Sequence, residues 1–109
     1  FPVEDVKKLQ DKLAVDYPFL TPYWAGRMIR AYGTEAWEVL GDAMTAGDLG
    51  QDFGATITAR ELDWAIAREW VRAGDDYLWR RTKLGLRLDE AQRAAVDAYI
   101  QGKAAQLAA

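Results

Sequence analysis

The chain has 109 residues, half of them hydrophobic and five of them tryptophan, which is one domain's worth of sequence and enough for a single modest core. Its 14 Lys and Arg stand against 17 Asp and Glu, a net charge of -3, the wrong sign for a protein living on phosphate backbones; nucleic acid is therefore not expected as a partner. With no cysteine and no histidine, disulfides, thiol chemistry, the usual general base and the commonest metal ligands are all missing, so no catalytic residue and no metal ligand is assigned.

The opening "FPVEDVKK" lacks a signal-peptide pattern, and no apolar run approaches the roughly 18 residues that cross a bilayer. A start at Phe1 reads as part of a longer protein. Val6, Leu9, Leu13 and Tyr17 fall at helical spacing, and Pro18 and Pro22 bracket the break that follows. Thr21 before Pro22 has the pattern of an N-cap with proline at the first helical position; Ala25, Met28, Ile29 and Tyr32 then form one stripe that stops at Gly33. Thr34 is placed to cap a third helix carrying Ala36, Val39, Leu40 and Ala43.

"GDLGQDFGATI", residues 47 to 57, has the glycines and aspartates of a loop, read as irregular, with a short extended piece at Ala55 to Ile57 as the alternative and Leu49 and Phe53 able to tuck against a core. Asp48 and Asp52 lack the alternation and closing glutamate of a helix-loop-helix calcium site, and the loop has no GxGxxG pattern. "TARE", Thr58 to Glu61, has capping-box spacing, and Leu62, Ala65, Ile66, Trp70 and Ala73 follow as a helical face. "DEAQ", Asp89 to Gln92, repeats the capping-box pattern before Val96, Tyr99, Ile100 and Leu107, and the alanine-rich end is expected to fray. Six helices and no strand pair result, an all-α fold: a compact single domain of five or six helices arranged as an orthogonal bundle. The tryptophans at 24, 37, 64, 70 and 79 are expected mostly in the core or at an interface.

"DDYLWRRTKLGLRL", residues 75 to 88, carries the one basic cluster, Arg80, Arg81, Lys83 and Arg87 around Thr82. An anion held by arginine forks beside Trp79 is one reading. A short helix capped by Asp75, with Asp76 pairing to Arg80 and cations near its negative end, is the other. On such a helix Leu78 and Thr82 lie one turn apart on the apolar side with Arg81 beside them. Arg81 is then expected to be partly buried, its fork held by a carboxylate such as Glu69 or by helix-end carbonyls, while Arg80 points outward over Asp76.

"AYGTEAWEVL" at 31 to 40, "DLGQDFGA" at 48 to 55 and "REWVRAGDDYLWRRTKLGL" at 68 to 86 resemble, in order and spacing, the C-terminal domain of the aerobic FAD-dependent glycerol-3-phosphate dehydrogenases. The resemblance implies that residues 1–109 are a helical cap of a longer flavoenzyme that oxidises sn-glycerol 3-phosphate to dihydroxyacetone phosphate and passes electrons to quinone. It implies FAD in the parent enzyme and no cofactor-binding residue in this chain, whose partner is the N-terminal FAD and substrate domain. It also implies a cytoplasmic location, with the parent held peripherally at the inner face of the cell membrane; a homodimer is left open. Arg80, Arg81, Thr82 and Lys83 then become candidates for structural or interdomain contacts. The competing reading is a free-standing helical protein-interaction module.

Overall fold

The computed structural model describes residues 3–82 and 84–108, with side chains described at 5–80, 82 and 84–106. Contacts divide the chain into two compact units, residues 1–50 and 51–109. Both are mainly helical, as the periodicities require.

In the first unit, α1 (Val3–Asp16) packs against α2 (Pro22–Tyr32), and a single 3-10 turn, Gly33–Glu35, leads into the short α3 (Ala36–Leu40). The Thr21 hydroxyl oxygen accepts from the Trp24 amide at 3.2 Å, with Pro22 at the helix start, so α2 begins where the cap chemistry puts it. It stops at Gly33, whose φ of 58° is open to glycine without strain. Thr34 does not cap α3; it lies inside the 3-10 turn, because α2 and α3 follow too closely to leave an extended residue between them. Leu13, Ala25, Met28, Ile29, Val39 and Leu40 are buried. The Tyr17 hydroxyl crosses this core to donate to the Gly41 carbonyl at 2.6 Å.

A second 3-10 turn, Ala46–Leu49, closes the unit. There Asp48 Oδ2 accepts from the amides of Met44 and Thr45 at 2.9 and 3.2 Å, so this carboxylate serves the backbone.

The second unit opens with a departure from the sequence reading. Asp52–Gly54 (β1) and Ile57–Thr58 (β2) pair antiparallel, Asp52 opposite Thr58 and Gly54 opposite Ile57. The two residues between them, Ala55 and Thr56, have φ of 49° and 66°, the signs that a type I′ hairpin turn needs. Neither is the Asn or Gly that usually signals such a turn, which is why the pattern reads as irregular. Asp52 Oδ1 accepts from the Gly54 amide at 2.8 Å, an Asx turn that opens the hairpin.

From β2 the chain enters α4 (Ala59–Arg68), with Thr58 as N-cap residue. The expected capping box is not built: Thr58 makes no side-chain cap bond, and Glu61 is drawn inward to a different partner. The last helix, α5 (Glu90–Ala108), has the full reciprocal box, Gln92 N to Asp89 Oδ1 at 2.7 Å and Asp89 N to Gln92 Oε1 at 2.9 Å. It stays helical through Ala108. The core of this unit joins Phe53 and Ile57 of the hairpin, Leu62, Ala65 and Ile66 of α4, Tyr77 and Leu78, and Val96 and Ile100 of α5. Leu49 and Phe53 are thus both buried, each in its own unit.

None of the five tryptophans is in a core. Leucine, isoleucine and alanine fill the interiors, and the indoles lie half-covered or exposed, so the core half of the expectation for the tryptophans is corrected and an interface role is left open.

Candidate functional site

The basic segment is held as a strap over α4 and α5. At its start the Gly74 amide donates to Asp97 Oδ1 at 2.7 Å, and a Cβ at residue 74 would stand 2.9 Å from the Asp97 Cα. Only glycine lets the backbone approach α5 this closely. At its end Arg93 Nη1 donates to the carbonyls of Gly85 and Leu88, which fixes the 3-10 turn Gly85–Arg87.

Between these anchors, Asp76–Arg81 forms one turn of π-helix rather than the α-helix expected. Asp75 does not cap it; its backbone is already helical, at φ -61° and ψ -38°, and its side chain makes no cap bond. The Thr82 amide and hydroxyl both reach back five residues to the Tyr77 carbonyl, at 3.0 and 2.8 Å. Thr82 therefore stacks on Tyr77, not on Leu78, and the four-residue spacing assumed for this stretch is one residue short. The wide turn is stabilised from inside by Tyr77, fully buried, whose hydroxyl donates to Oε2 of the buried Glu61 at 2.9 Å.

Arg80 points outward as expected. Its side chain is 83% exposed, with Nη1 3.7 Å from Asp76 Oδ1. The side chain of Arg81 and the whole of Lys83 lie outside the described residues, and with them the expected burial of Arg81 and its pairing with Glu69. The four candidates are thus represented by Arg80, on the surface, and Thr82, whose hydroxyl is committed to the backbone and also accepts from the Leu84 amide at 3.3 Å. Trp79 covers the 3-10 turn that follows it. Its ring lies over Gly85, where a Cβ would stand 2.6 Å from indole carbons, and Leu86 beside it is 87% exposed.

Sequence reasoning missed a second feature, at the far end of α4. Helix α4 is C-capped by Glu69, and the next residue, Trp70, takes φ 58° and carries its indole outward, 75% exposed. This is the C′ position, where glycine is the norm and a bulky side chain is an outlier. The Val71 amide returns to the Ala65 carbonyl at 3.2 Å. Arg72 places its guanidinium 4.5 Å from the centre of the Trp70 ring and donates from Nη1 to the Ile66 and Val71 carbonyls at 3.0 and 2.9 Å. One turn back along the helix, Arg68 covers Trp64 in the same way, again at 4.5 Å. The helical spacing runs on through Trp70 and Ala73, so no local pattern announces that α4 stops at Arg68 and leaves Trp70 outside the helix.

The described residues of the second unit line cavities, of which two bear on the site. One of about 400 Å³ is lined by Gln51, Asp52, Gly54, Asp89 and Gln92, and the side chains of Asp52, Asp89 and Gln92 are already bonded to backbone amides. The other, about 240 Å³, lies between α4 and α5 and includes Asp63, Ile66 and Lys103. Asp63 Oδ1 accepts from the Tyr99 hydroxyl at 2.7 Å, and burial first, then this bond and the carboxylate's charge, push the phenol's pKa above the ordinary tyrosine range. Among the described residues no group of three acids could hold a metal ion, and Asp48 and Asp52 each accept from amides of their own backbone turn.

Residues 4–108 match the sequence signature of the C-terminal domain of alpha-glycerophosphate oxidase. The chain belongs to this family. A glycerol-3-phosphate dehydrogenase of Pseudomonas aeruginosa is 37% identical over 101 residues, covering 93% of this chain and 20% of that protein. The aerobic glycerol-3-phosphate dehydrogenase of Escherichia coli K12 is 44% identical over 84 residues, 77% of this chain and 17% of its own length. A D-erythritol 1-phosphate dehydrogenase of Brucella abortus is 34% identical over 91 residues, 84% of this chain and 18% of its own. The family domain thus spans about a fifth of these relatives. Among the described residues, no helix is long and apolar enough to cross a membrane.

Proposed function

We propose that the chain is the non-catalytic C-terminal domain of an FAD-dependent dehydrogenase that oxidises sn-glycerol 3-phosphate to dihydroxyacetone phosphate and delivers the electrons to quinone. The observation that carries the reading is the family match over residues 4–108, together with relatives that are named glycerol-3-phosphate dehydrogenases and align with the chain through one fifth or less of their length. A flavin does not fit the described residues. The paired strands are a two-residue-turn hairpin, and no strand runs through a glycine-rich turn into a helix, the arrangement that receives a dinucleotide pyrophosphate. FAD and the chemistry it supplies are therefore assigned to the remainder of the parent chain. The cytoplasmic location and the peripheral seat of the parent at the inner face of the membrane belong to the same proposal.

A relative named for D-erythritol 1-phosphate aligns with this chain over 91 residues, which supports assigning the choice among polyol phosphates to the rest of the parent chain. The test is dye reduction by the full-length gene product with added FAD, using glycerol 3-phosphate and D-erythritol 1-phosphate in parallel. Turnover of glycerol 3-phosphate by the full-length protein, and none by residues 1–109 alone, is expected. Turnover by residues 1–109 alone, or no oxidation of glycerol 3-phosphate by the FAD-loaded full-length protein, overturns the reading.

A further inference from the structure

We infer that the Trp70–Arg72 knob, with the Trp64–Arg68 stack behind it on α4, is the surface through which this domain docks on the rest of its own polypeptide; the inference rests on the reading of the chain as one domain of a longer dehydrogenase. Three observations converge on these four residues. First, Trp70 sits at a left-handed position that glycine fills without strain, and the ring it carries there is three-quarters exposed. The backbone strain has no compensation in the core, since Val71, not Trp70, is the residue buried next to the helix end. Second, the ring is held in place before any partner arrives. Arg72 stacks on it while being tied to two carbonyls, so little side-chain freedom remains to be lost on contact. Third, the pairing of tryptophan with arginine is repeated by Trp64 and Arg68, and these two residue types dominate the energetic centres of protein interfaces.

The occupant follows from chain length and charge. The Pseudomonas aeruginosa relative matches this chain over 20% of its length, which leaves the larger part of that polypeptide outside the match and permanently tethered to the domain. A tethered surface is present at high effective concentration, so a small preorganised knob suffices where a free partner would need a larger face. The two guanidinium groups define the complementary surface: a shallow apolar seat for the indole, rimmed by carboxylates.

Hydroxyl-radical footprinting of the full-length protein, read by mass spectrometry, tests the assignment. Trp70 is expected to be oxidised several-fold more slowly than a three-quarters exposed indole, with the same protein in denaturant giving its unprotected rate. In the Trp70→Gly variant, which suits the backbone at this position, Trp64 is expected to lose its protection and the junction before this domain to be cut faster by protease. Labelling of Trp70 at the rate its exposure allows overturns the assignment. Protection that fades on dilution points to a second copy, and protection that appears only with anionic phospholipid vesicles points to a membrane; each of these also overturns it. The footprint does not depend on turnover. A protected Trp70 in a protein that does not oxidise glycerol 3-phosphate therefore sinks the activity and leaves the docking, and free labelling in an active enzyme does the reverse.

Discussion

The Tyr77 hydroxyl donates to Glu61 Oε2 at 2.9 Å, joining the π turn to the first turn of α4 in a place where Glu61 is only 2% exposed. A buried carboxylate that loses a donor keeps its desolvation cost, so Tyr77→Phe is expected to destabilise the domain by about 1–3 kcal/mol. Replacing both partners, as Glu61→Leu with Tyr77→Phe, is expected to cost less than the sum of the single changes, because no acceptor is then stranded. Denaturant unfolding of the four proteins checks this; additive losses would mean that the contact carries little.

The strap itself is tested at two positions. Gly85→Ala places a methyl group 2.6 Å from the Trp79 ring and must displace it, at a cost of about 1–3 kcal/mol and with faster oxidative labelling of Trp79. Arg80→Ala removes an exposed pair whose atoms are 3.7 Å apart, and its stability change is expected within about 1 kcal/mol. A larger loss at Arg80 than at Gly85 would contradict this geometry.

The left-handed residue at 70 is isolated by comparing two variants rather than by either alone. Trp70→Ala loses the stack with Arg72 and keeps the strain; Trp70→Gly loses the stack and relieves it. The glycine variant is expected to be the more stable of the two by roughly 1 kcal/mol. Equal melting temperatures would show that residue 70 is not left-handed in solution.

Tyr99 contributes to the loss of stability at high pH. Its folded-state pKa is raised, by burial and by Asp63, so the folded domain keeps a proton that the unfolded chain has given up. Stability from this source is complete below the unfolded value near 10 and falls as the pH rises beyond it, since the folded state then binds more protons than the unfolded one. Tyr99→Phe is expected to flatten the fall in stability above this pH. Unchanged steepness in the variant would assign that loss elsewhere.

What was legible in the sequence was whatever rests on local chemistry with one solution. Thr21 with Pro22, and Asp89 with Gln92, are caps that need only their own neighbours, and both form. The pairing of Asp76 with Arg80 was legible for the same reason. Thr58 with Glu61 has the same spacing and fails as a box, because Tyr77, sixteen residues away, offers the Glu61 carboxylate a buried donor that no local pattern announces. The hairpin was illegible because Ala55 and Thr56 take left-handed angles without being glycine or asparagine. The phase error around Leu78 and Thr82 has one cause: a π turn adds a residue that periodicity cannot count. Trp70 was misplaced because its apolar character fitted the stripe while its backbone left the helix.

The tryptophan at 70 also bears on how the gene has been shaped. In the standard genetic code tryptophan has the single codon TGG, one base change from the glycine codon GGG, so the residue that fits this backbone without strain is within reach of a single mutation. The code does not hold the indole in place. If the Trp70–Arg72 knob is worth more to the assembled protein than the relaxed turn is to the domain, then selection for thermostability of the excised domain and selection for activity of the intact protein should pull this codon in opposite directions.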